Sequence, residues 1–469
     1  MSELETSINP LSAHMTEMRA SQSKHSSFNL SQVDLFSDSH EERKSLLTRD
    51  TKVCFCIPAS WIILPPEGEE VHIKNSNQAT IFLLLNTMIG SGIVVQAYVF
   101  SQAGIVATIF EYIIVGIMMY QGVVLCIRSA DKAKIFHYAQ LAEYTVGNIG
   151  RYLIDVSIVI NNAGALLSYI LIIGTLSSDV LQTFSGCNDN DWYCNAGFLT
   201  LFPIIFFTIP LCLIRNFGHL ALISYISIAV IVSIIFLVLI GGPVRAVYYT
   251  NDDDRHVKTG SFIGCIQTVG DIVFALGYIT AIFHAYDGMQ DKNVPAFTHN
   301  VFVTQVAGVL MCFIIGLVGY LCFLDNTETN ILENFTGDVG AVFKIGLIVH
   351  LILYIPGDFV IFRASLLKLC DRDVQKQNDF EFVTQTLSLI AFITLIAIIL
   401  QVTVPNGTAL NAVINVSGGI AGSVVYFIVP GLCGKRLFPE EPQTVYLSYA
   451  LIGFGVVIMI LVLVGTALS

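Results

Sequence analysis

Charged residues are scarce in this chain of 469 residues, since they make up 12% of it whereas hydrophobic residues make up 54%. The mean hydropathy is +0.72. A soluble fold of this length could not bury so much apolar surface, so the chain needs a lipid bilayer as its partner. The alternation of apolar and polar residues typical of strands is also lacking, which leaves membrane-spanning helices as the expected structure.

Several patterns that would indicate other functions are missing as well. The sequence has no basic stripe and no phosphate-binding loop, which argues against binding of nucleic acid or nucleotides. No His-Glu-x-x-His pair and no Gly-x-Asp or Gly-x-Ser-x-Gly setting lies in the apolar segments, so we expect neither an enzyme nor a metal site. The filter sequences and rings of charged side chains that line channels are not apparent.

Apolar runs of about twenty residues recur along the chain, roughly the length that crosses a 30 Å hydrocarbon layer as a helix. The predicted fold class is therefore all-α integral membrane. We place eleven spans near 79–100, 104–127, 152–176, 198–214, 219–241, 261–286, 301–324, 341–366, 383–404, 410–432 and 444–467. Residues 1–78 are polar and Ser-rich, which predicts a mostly disordered cytosolic tail before a transmembrane domain at 79–469.

Lysine and arginine are unevenly divided between the loops. With the N-terminus in the cytosol, twelve lie on cytosolic loops and three on the opposite loops. The twelve are Arg128, Lys132, Lys134, Arg151, Arg215, Lys292, Arg363, Lys368, Arg372, Lys376, Lys435 and Arg436, and the three are Arg245, Arg255 and Lys258. This bias predicts a cytosolic N-terminus and, because the number of spans is odd, a C-terminus on the lumenal or extracellular side.

Two outer loops contain residues that could be modified. Asn334 and Asn406 begin glycosylation acceptor patterns, and Asn334 is the better candidate because Asn406 lies close to the predicted membrane. Such patterns also occur by chance. Cys187 and Cys194 flank an acidic loop tip, where oxidising conditions would permit a disulfide, and the alternative is two free thiols.

The tail contains one short motif that bears on localisation. Glu42, Leu46 and Leu47 have the arrangement of an acidic dileucine signal, which a sorting adaptor binds as an extended peptide. The alternative is a simple solvated segment. If the motif is used, the protein belongs in an endosomal, lysosomal or vacuolar membrane rather than the plasma membrane, and the tail could also bind a regulatory protein.

The first predicted span contains glycines where a membrane helix tolerates them poorly. Gly90-Ser91-Gly92 lies in mid-span, and such a helix-weakening sequence is accepted only where it faces protein or a polar cavity. An unwound helix here would free amides around Gly90–Ile93 for a carboxylate and carbonyls around Asn86–Met88 for an ammonium or a cation. The alternative is close helix packing through small residues.

Polar and ionisable residues also interrupt the second and sixth spans. The sixth span combines Asp271, a mid-span Gly277 and His284, and the second contains Glu111. Such residues are costly in a bilayer and are functional candidates by default. His284 could equally cap its own helix, and Asp271 could be an outer-gate, proton-binding or vestibule carboxylate.

From about Asn77 onward the sequence resembles the amino acid/auxin permease family. The segment Asn86–Ile93, followed by Ala97-Tyr98 and Ala103-Gly104, is similar to the first helix of the sodium-coupled neutral amino acid transporter branch. The region after His284 is similar to vacuolar or lysosomal relatives. Further similar segments are Asn162–Ala165 with Ser168-Tyr169, Pro210–Asn216, Gly319–Phe323, and Pro356 with Phe359 and Arg363.

The resemblance implies the fold of the bacterial leucine transporter, a five-plus-five inverted repeat with one extra helix, and a neutral amino acid as substrate. It places Asn86 at the sodium-linked position and substrate at the breaks of spans one and six. Phe274 and Phe283 are expected gates. The expected substrate-binding residues are Thr87, Met88, Ile89, Gly90, Ser91, Gly92, Ile93, Tyr278, Ile279, Thr280, Ala281 and Ile282.

The sequence departs from the sodium-coupled branch in the eighth span. Those relatives place a threonine shortly before the proline, whereas this chain has Ile352 and Tyr354 before Pro356. The tyrosine ring would hold its oxygen too far out for a compact cage around a hard cation. Coupling to sodium, coupling to protons and exchange without an ion all remain open, and the candidate residues are Asn86, Glu111, Asp271 and His284.

These features predict a secondary active transporter of neutral amino acids that works by alternating access. The bundle containing spans one and six would rock against a scaffold containing spans three and eight. The alternative is an amino acid sensor with little net transport, an interpretation that the long tail keeps open. No cofactor is expected beyond a sodium ion or a proton.

Overall fold

The computed structural model describes residues 75–188, 191–213, 220–248, 257–370, 372, 377–404 and 407–468. The tail before residue 75, with the sorting motif at Glu42, Leu46 and Leu47, lies outside these ranges, as does the glycosylation candidate Asn406.

The described residues form helices joined by short turns. The α-helices are α1 (Asn77–Met88), α2 (Gln96–Ala103), α3 (Ile105–Ala133), α4 (Tyr138–Val146), α5 (Asn148–Ser185), α6 (Ala196–Pro203), α7 (Ile209–Cys212), α8 (Leu220–Phe236), α9 (Gly242–Tyr248), α10 (Phe262–Ala275), α11 (Ile282–Asp287), α12 (Val294–Phe323), α13 (Gly337–Leu369), α14 (Asp379–Thr403), α15 (Thr408–Val416), α16 (Val429–Leu437) and α17 (Pro442–Leu468). Tighter 3₁₀ turns cover Ser91–Val95, Ile279–Ala281, Leu324–Asn326 and Ile331–Asn334, and wider π-helical stretches cover Ile204–Thr208, Leu237–Gly241, Ser417–Gly422 and Val424–Ile428. Within the described ranges no strand forms, and an isolated backbone bridge joins Asn75 to Met289.

Most of the helical structure is long and apolar enough to cross a bilayer. When consecutive helical segments such as Thr408–Leu437 are counted as one helix, nine helices in the described part of the chain meet this criterion. The bent pair Asn77–Met88 and Ser91–Ala103 raises the number to ten if the pair is one span. A shorter apolar helix, Ala196–Cys212, occupies the place of the fourth predicted span. The all-helical membrane fold is thus confirmed, whereas the count of eleven spans stays a prediction.

The centre of the bundle is formed by the helices that bury most of their apolar surface. Of the apolar segments of Phe262–Asp287 and Thr408–Leu437, 67% and 72% are buried, against 28% for both α14 and Pro442–Ala467. The long helices α5 and α13, which cover the third and eighth predicted spans, pack along each other. The broken first span packs against α10 and α12.

Backbone hydrogen bonds connect the segments that flank the two broken spans, and they do so at both ends of these spans. At one end the Asn75 N–H donates to the Gly288 carbonyl at 2.7 Å, and the Gln290 N–H donates to the Asn75 carbonyl at 3.0 Å. We call this pair of bonds the Asn75 clasp. At the other end the Ile105 N–H donates to the Lys258 carbonyl at 3.0 Å, next to Gly104, whose φ of 85° suits a residue without a side chain.

Candidate functional site

The helix of the first span is interrupted at Gly90-Ser91-Gly92, where the sequence predicts a break. Helix α1 ends at Met88, and the stretch Ser91–Ala103 continues after a bend of 53°. Ile89 and Gly90 between them are not helical, with φ and ψ of −94° and 77°, and of −99° and −141°. The first amides of the second stretch have no partner within their own helix and lie at its positive end, so they can hold a carboxylate.

The sixth predicted span is interrupted as well. Helix α10 ends at Ala275, and helical structure resumes with the turn Ile279–Ala281. Tyr278 between them has φ of −151° and ψ of 4°, outside the helical region. The backbone N–H of Ile279 donates to the hydroxyl of Tyr426 at 3.2 Å. A side chain from the tenth predicted span thus accepts a hydrogen bond from one of the backbone amides at this break.

The two breaks lie against each other. A Cβ atom added to Gly92 would lie 2.7 Å from the Cα and 2.8 Å from the Cβ of Ala275. Carbon atoms in ordinary contact are roughly 3.5–4.0 Å apart. Gly92 is therefore required for close packing, and both Gly90 and Gly92 border the cavity described next.

Both breaks border one cavity of about 30 Å³, which has room for only about two water molecules. Its lining residues are Thr87, Met88, Gly90, Gly92, Asn161, Asn162, Ala165, Tyr169, Phe274, Gly277, Thr280, Asp358 and Tyr426. Five of the predicted substrate-binding residues are among them, and the other seven, Ile89, Ser91, Ile93, Tyr278, Ile279, Ala281 and Ile282, are not. An amino acid has several times the atoms of a water, so the cavity must widen to admit one.

Sequence reasoning missed a carboxylate in this cavity. Asp358 lies in α13 and accepts a hydrogen bond of 2.7 Å at Oδ2 from the Tyr169 hydroxyl of α5. The Tyr169 hydroxyl oxygen would lie 2.9 Å from a Cβ atom added to Gly90. The signal was available, because an acidic residue within a predicted apolar span is a functional candidate in its own right.

The comparisons with known proteins agree with this arrangement of broken helices. Residues 74–468 match the sequence model of a family described as "Transmembrane amino acid transporter protein". The chain belongs to this family. The predicted resemblance is confirmed, because the matched region includes both breaks and every residue that lines the cavity.

Two relatives illustrate what this transporter family contains. The Rattus norvegicus protein named "Putative sodium-coupled neutral amino acid transporter 11" is 24% identical over 382 residues, which cover 80% of this chain and 81% of the relative. "Amino acid transporter AVT6E" of Arabidopsis thaliana is 24% identical over 309 residues, which cover 61% of this chain and 63% of that protein.

A solved structure shows the same fold. The crystal structure of MhsT in complex with L-phenylalanine superposes with a TM-score of 0.54 at 13% identity, and the match covers 85% of this chain and all of MhsT. At that identity the likeness concerns the fold alone. The predicted leucine transporter-like architecture is confirmed in this transporter family member.

The sodium-linked position of this family member has an unexpected partner. The carbonyl of Asn86 accepts a hydrogen bond of 2.8 Å from the Tyr354 hydroxyl. Helix α13 thus brings the phenol of Tyr354 directly onto one of the carbonyls that were expected to face an ammonium or a cation. The hydroxyl of Thr87 is engaged too, since it donates to the Leu83 carbonyl of its own helix at 3.0 Å.

Two of the predicted coupling residues lie near each other. Asp271 is fully buried, and within the described residues neither of its carboxyl oxygens has a hydrogen-bond partner. Glu111 is close enough for the two charges to interact, and it forms a hydrogen bond with Cys265. An isolated ionised carboxylate is costly in an apolar interior, so this pair needs a proton or a cation to neutralise its charge.

A chain of hydrogen bonds links the residue after Glu111 to the first break. The Tyr112 hydroxyl donates to the side-chain oxygen of Gln96. The amide nitrogen of Gln96 donates in turn to the Gly92 carbonyl at 2.6 Å. The backbone at the break is therefore bonded, through two side chains, to the helix that carries Glu111.

The predicted gate residues and His284 are distributed differently. Phe274 lines the cavity. Phe283 lies elsewhere, with its ring centroid 6.4 Å from that of Phe136 and 6.0 Å from that of Tyr138. His284 is exposed on α11, near the Asn75 clasp, and does not line the cavity. Within the described residues no group of three or more His, Cys, Asp or Glu side chains is placed to hold a metal ion.

A polar cluster near the Gly337 end of α13 joins that helix to α5 and to the turn Ile331–Asn334, which lies outside the spanning helices. The Lys344 ammonium is 2.7 Å from Oδ2 of Asp179. Glu333, in the turn before α13, forms a hydrogen bond with Thr175. Burial and the nearby Asp179 carboxylate raise the pKa of Glu333 from 4.5 to about 8.

The remaining predicted positions lie on the loops. Cys187 and Cys194 form a disulfide with their Cα atoms 6.4 Å apart. The side-chain nitrogen of Asn334 donates to the Asn326 carbonyl at 2.7 Å, and a glycan would replace one of the two hydrogens on this nitrogen.

Proposed function

We propose that this chain is a secondary active transporter that moves a neutral amino acid across its membrane by alternating access. The observation that carries the proposal is that Gly90 and Gly277, one from each broken span, border the same cavity. Broken helices at the midplane offer amides to a carboxylate and carbonyls to an ammonium, which are the two charged groups of an amino acid.

The names of the relatives support the substrate class. The Rattus norvegicus relative is named for neutral amino acids, and MhsT holds L-phenylalanine. The cavity suits a substrate with an ammonium group, since Asp358 is the one ionisable acid or base among its lining residues apart from tyrosines, in the part of the chain that is described.

We propose that protons drive this transport. Glu111 and Asp271 supply a buried acidic pair without a basic partner in the described residues, which suits reversible protonation. At the position linked to sodium, the Tyr354 hydroxyl already occupies the Asn86 carbonyl, and a phenol is a poor member of a compact cation cage.

Backbone bonds at the two ends hold the broken spans together as one body that could move during alternating access. The Asn75 clasp joins the start of the first span to the end of the sixth, and the bond between Ile105 and Lys258 joins their opposite ends. Because both broken spans belong to the same bundle, these bonds can persist while that bundle moves. The bundle that contains both breaks would move against the α5 and α13 scaffold.

Orientation and location follow from the sequence. We propose a cytosolic N-terminus, a lumenal or extracellular C-terminus, and a lysosomal, vacuolar or endosomal membrane rather than the plasma membrane. Glu42, Leu46 and Leu47 would bind the sorting adaptor that directs the protein there. Replacing both leucines with alanine should redistribute the protein to the cell surface, and an unchanged distribution would contradict this part of the proposal.

The test is uptake by purified protein in liposomes. Labelled neutral amino acids are offered under a proton gradient and, separately, under a sodium gradient, and we expect accumulation with the proton gradient. Gly90→Val should abolish uptake because the new side chain enters the cavity, whereas Gly453→Val, which replaces a glycine with no neighbour within 4 Å, should not. Binding without uptake in the unaltered protein would instead indicate a sensor.

A further inference from the structure

Asp358 follows a helix-weakening residue in the middle of a long membrane helix. Pro356 lies inside α13, where it cannot donate a backbone hydrogen bond. Asp358 is two residues further on and is partly accessible, because it lines the cavity. A carboxylate is costly at this depth of a bilayer, so its position calls for a partner.

Within the described ranges, Asp358 has a neutral partner. The Tyr169 hydroxyl donates a hydrogen bond of 2.7 Å to the Asp358 carboxylate. The cavity lining includes no lysine, arginine or histidine in the described ranges. A tyrosine hydroxyl orients the carboxylate and does not neutralise its charge.

The carboxylate lies close to the first break. The Tyr169 hydroxyl oxygen, which donates to Asp358, would lie 2.9 Å from a Cβ atom added to Gly90. The Asp358 carboxylate and the start of the stretch Ser91–Val95 therefore both lie next to the Tyr169 hydroxyl. An α-amino acid has a carboxylate and an ammonium joined through a single carbon atom, and Gly90 and Asp358 border the same cavity.

We propose that Asp358 is the substrate's ammonium-binding residue and that Tyr169 positions its carboxylate. The inference rests on the proposed transport of an amino acid through this cavity. The amides after Gly90 hold the substrate carboxylate, and Asp358 holds the positive charge at the other side. A charge-assisted hydrogen bond of this kind gives selectivity for amines over deaminated analogues of the same shape.

The ammonium could be the α-ammonium or that of a cationic side chain, and two sets of ligands separate these sources. Binding to purified protein in detergent is measured by isothermal titration calorimetry with leucine and phenylalanine, their deaminated carboxylic acids, lysine and ornithine. For an α-ammonium, Asp358→Asn weakens binding of all the amino acids by roughly 10–100-fold and leaves the deaminated acids unaffected. For a side-chain ammonium, only lysine and ornithine lose affinity.

Matched variants distinguish a loss of ligand binding from an effect on folding. Asp338→Asn removes an exposed carboxylate from the first turn of the same helix and should leave binding unchanged. Tyr169→Phe keeps Asp358 and the ring but removes the positioning hydroxyl, so it should weaken binding less than Asp358→Asn does. Asp358→Glu, which keeps the charge, should recover part of the affinity. Thermal unfolding of each variant checks that the protein is folded.

Two results would overturn the inference. If Asp358→Asn binds every amino acid as the unaltered protein does but loses proton-driven accumulation, Asp358 is a proton carrier. If folded Asp358→Asn changes neither property, the carboxylate has no role in recognition. If the unaltered protein transports none of the panel yet Asp358→Asn weakens binding, the transport proposal fails while the binding inference stands.

Discussion

The contact between the two breaks makes Gly92→Ala a sharp test of the site. The added Cβ would lie 2.7 Å from the Cα, 2.8 Å from the Cβ and 3.2 Å from the backbone nitrogen of Ala275. Restoring ordinary contact requires the two segments to separate by roughly 1 Å. Overpacking of this kind costs about 1–3 kcal/mol, which corresponds to roughly a 5–150-fold change in an equilibrium constant.

That cost falls on the arrangement in which the breaks are closed around the cavity. If transport passes through this arrangement, its population drops and the apparent dissociation constant rises by about the same 5–150-fold factor. Calorimetric binding and liposome uptake of a labelled amino acid measure the two effects. Gly453→Ala is the matched control, because its Cβ would meet nothing within 4 Å.

A second substitution sharpens the test. Ala275→Gly in the Gly92→Ala background removes the Cβ contact but leaves the Cα and the backbone nitrogen of residue 275 in place. We therefore expect partial recovery of affinity. A folded Gly92→Ala protein with unchanged affinity and uptake would refute the argument that the two breaks must approach this closely.

Three further predictions concern buried polar groups. Glu111→Gln and Asp271→Asn should each reduce proton-driven accumulation while amino acid exchange across the liposome membrane persists; unchanged accumulation in both would count against proton coupling through this pair. Because the pKa of Glu333 is raised from 4.5 to about 8, the folded state binds more protons than the unfolded state between these values, so stability should fall as the pH rises through this window. Glu333→Gln should flatten that slope in thermal unfolding scans. Tyr354→Phe leaves the buried Asn86 carbonyl without its donor and should destabilise the protein by about 1–3 kcal/mol, whereas Tyr446→Phe, at an exposed position, should not.

Composition and local sequence were sufficient to predict the membrane fold and the first break. Gly90-Ser91-Gly92 is conspicuous because an apolar helix gains nothing from two closely spaced glycines unless the backbone departs from the helix or approaches a neighbour. The structure shows both effects, with non-helical angles at Gly90 and a close approach at Gly92. A mid-span Gly277 in turn marked the second break, which covers Leu276 to Tyr278.

The partners of the breaks could not be predicted in the same way. Tyr169 and Asp358 are 189 residues apart, and Tyr354 and Asn86 are 268 residues apart. Each pair meets because of how whole helices pack, and a uniformly apolar helix gives little indication of which side faces the protein. Sequence reasoning judged the Tyr354 oxygen only against a cation cage, whereas the packing uses it as a hydrogen-bond donor to the carbonyl itself.

The Asn75 clasp has a consequence for how this protein would respond to mutagenesis. Both of its bonds run between backbone groups, so an alanine scan would replace every side chain nearby and leave both bonds intact. Such a screen would therefore not detect the contribution of the Asn75 clasp. Proline lacks the amide hydrogen, so proline at position 75 removes the bond to the Gly288 carbonyl and proline at position 290 removes the bond to the Asn75 carbonyl; the loss of stability in each variant measures how strongly the clasp holds the two broken spans together.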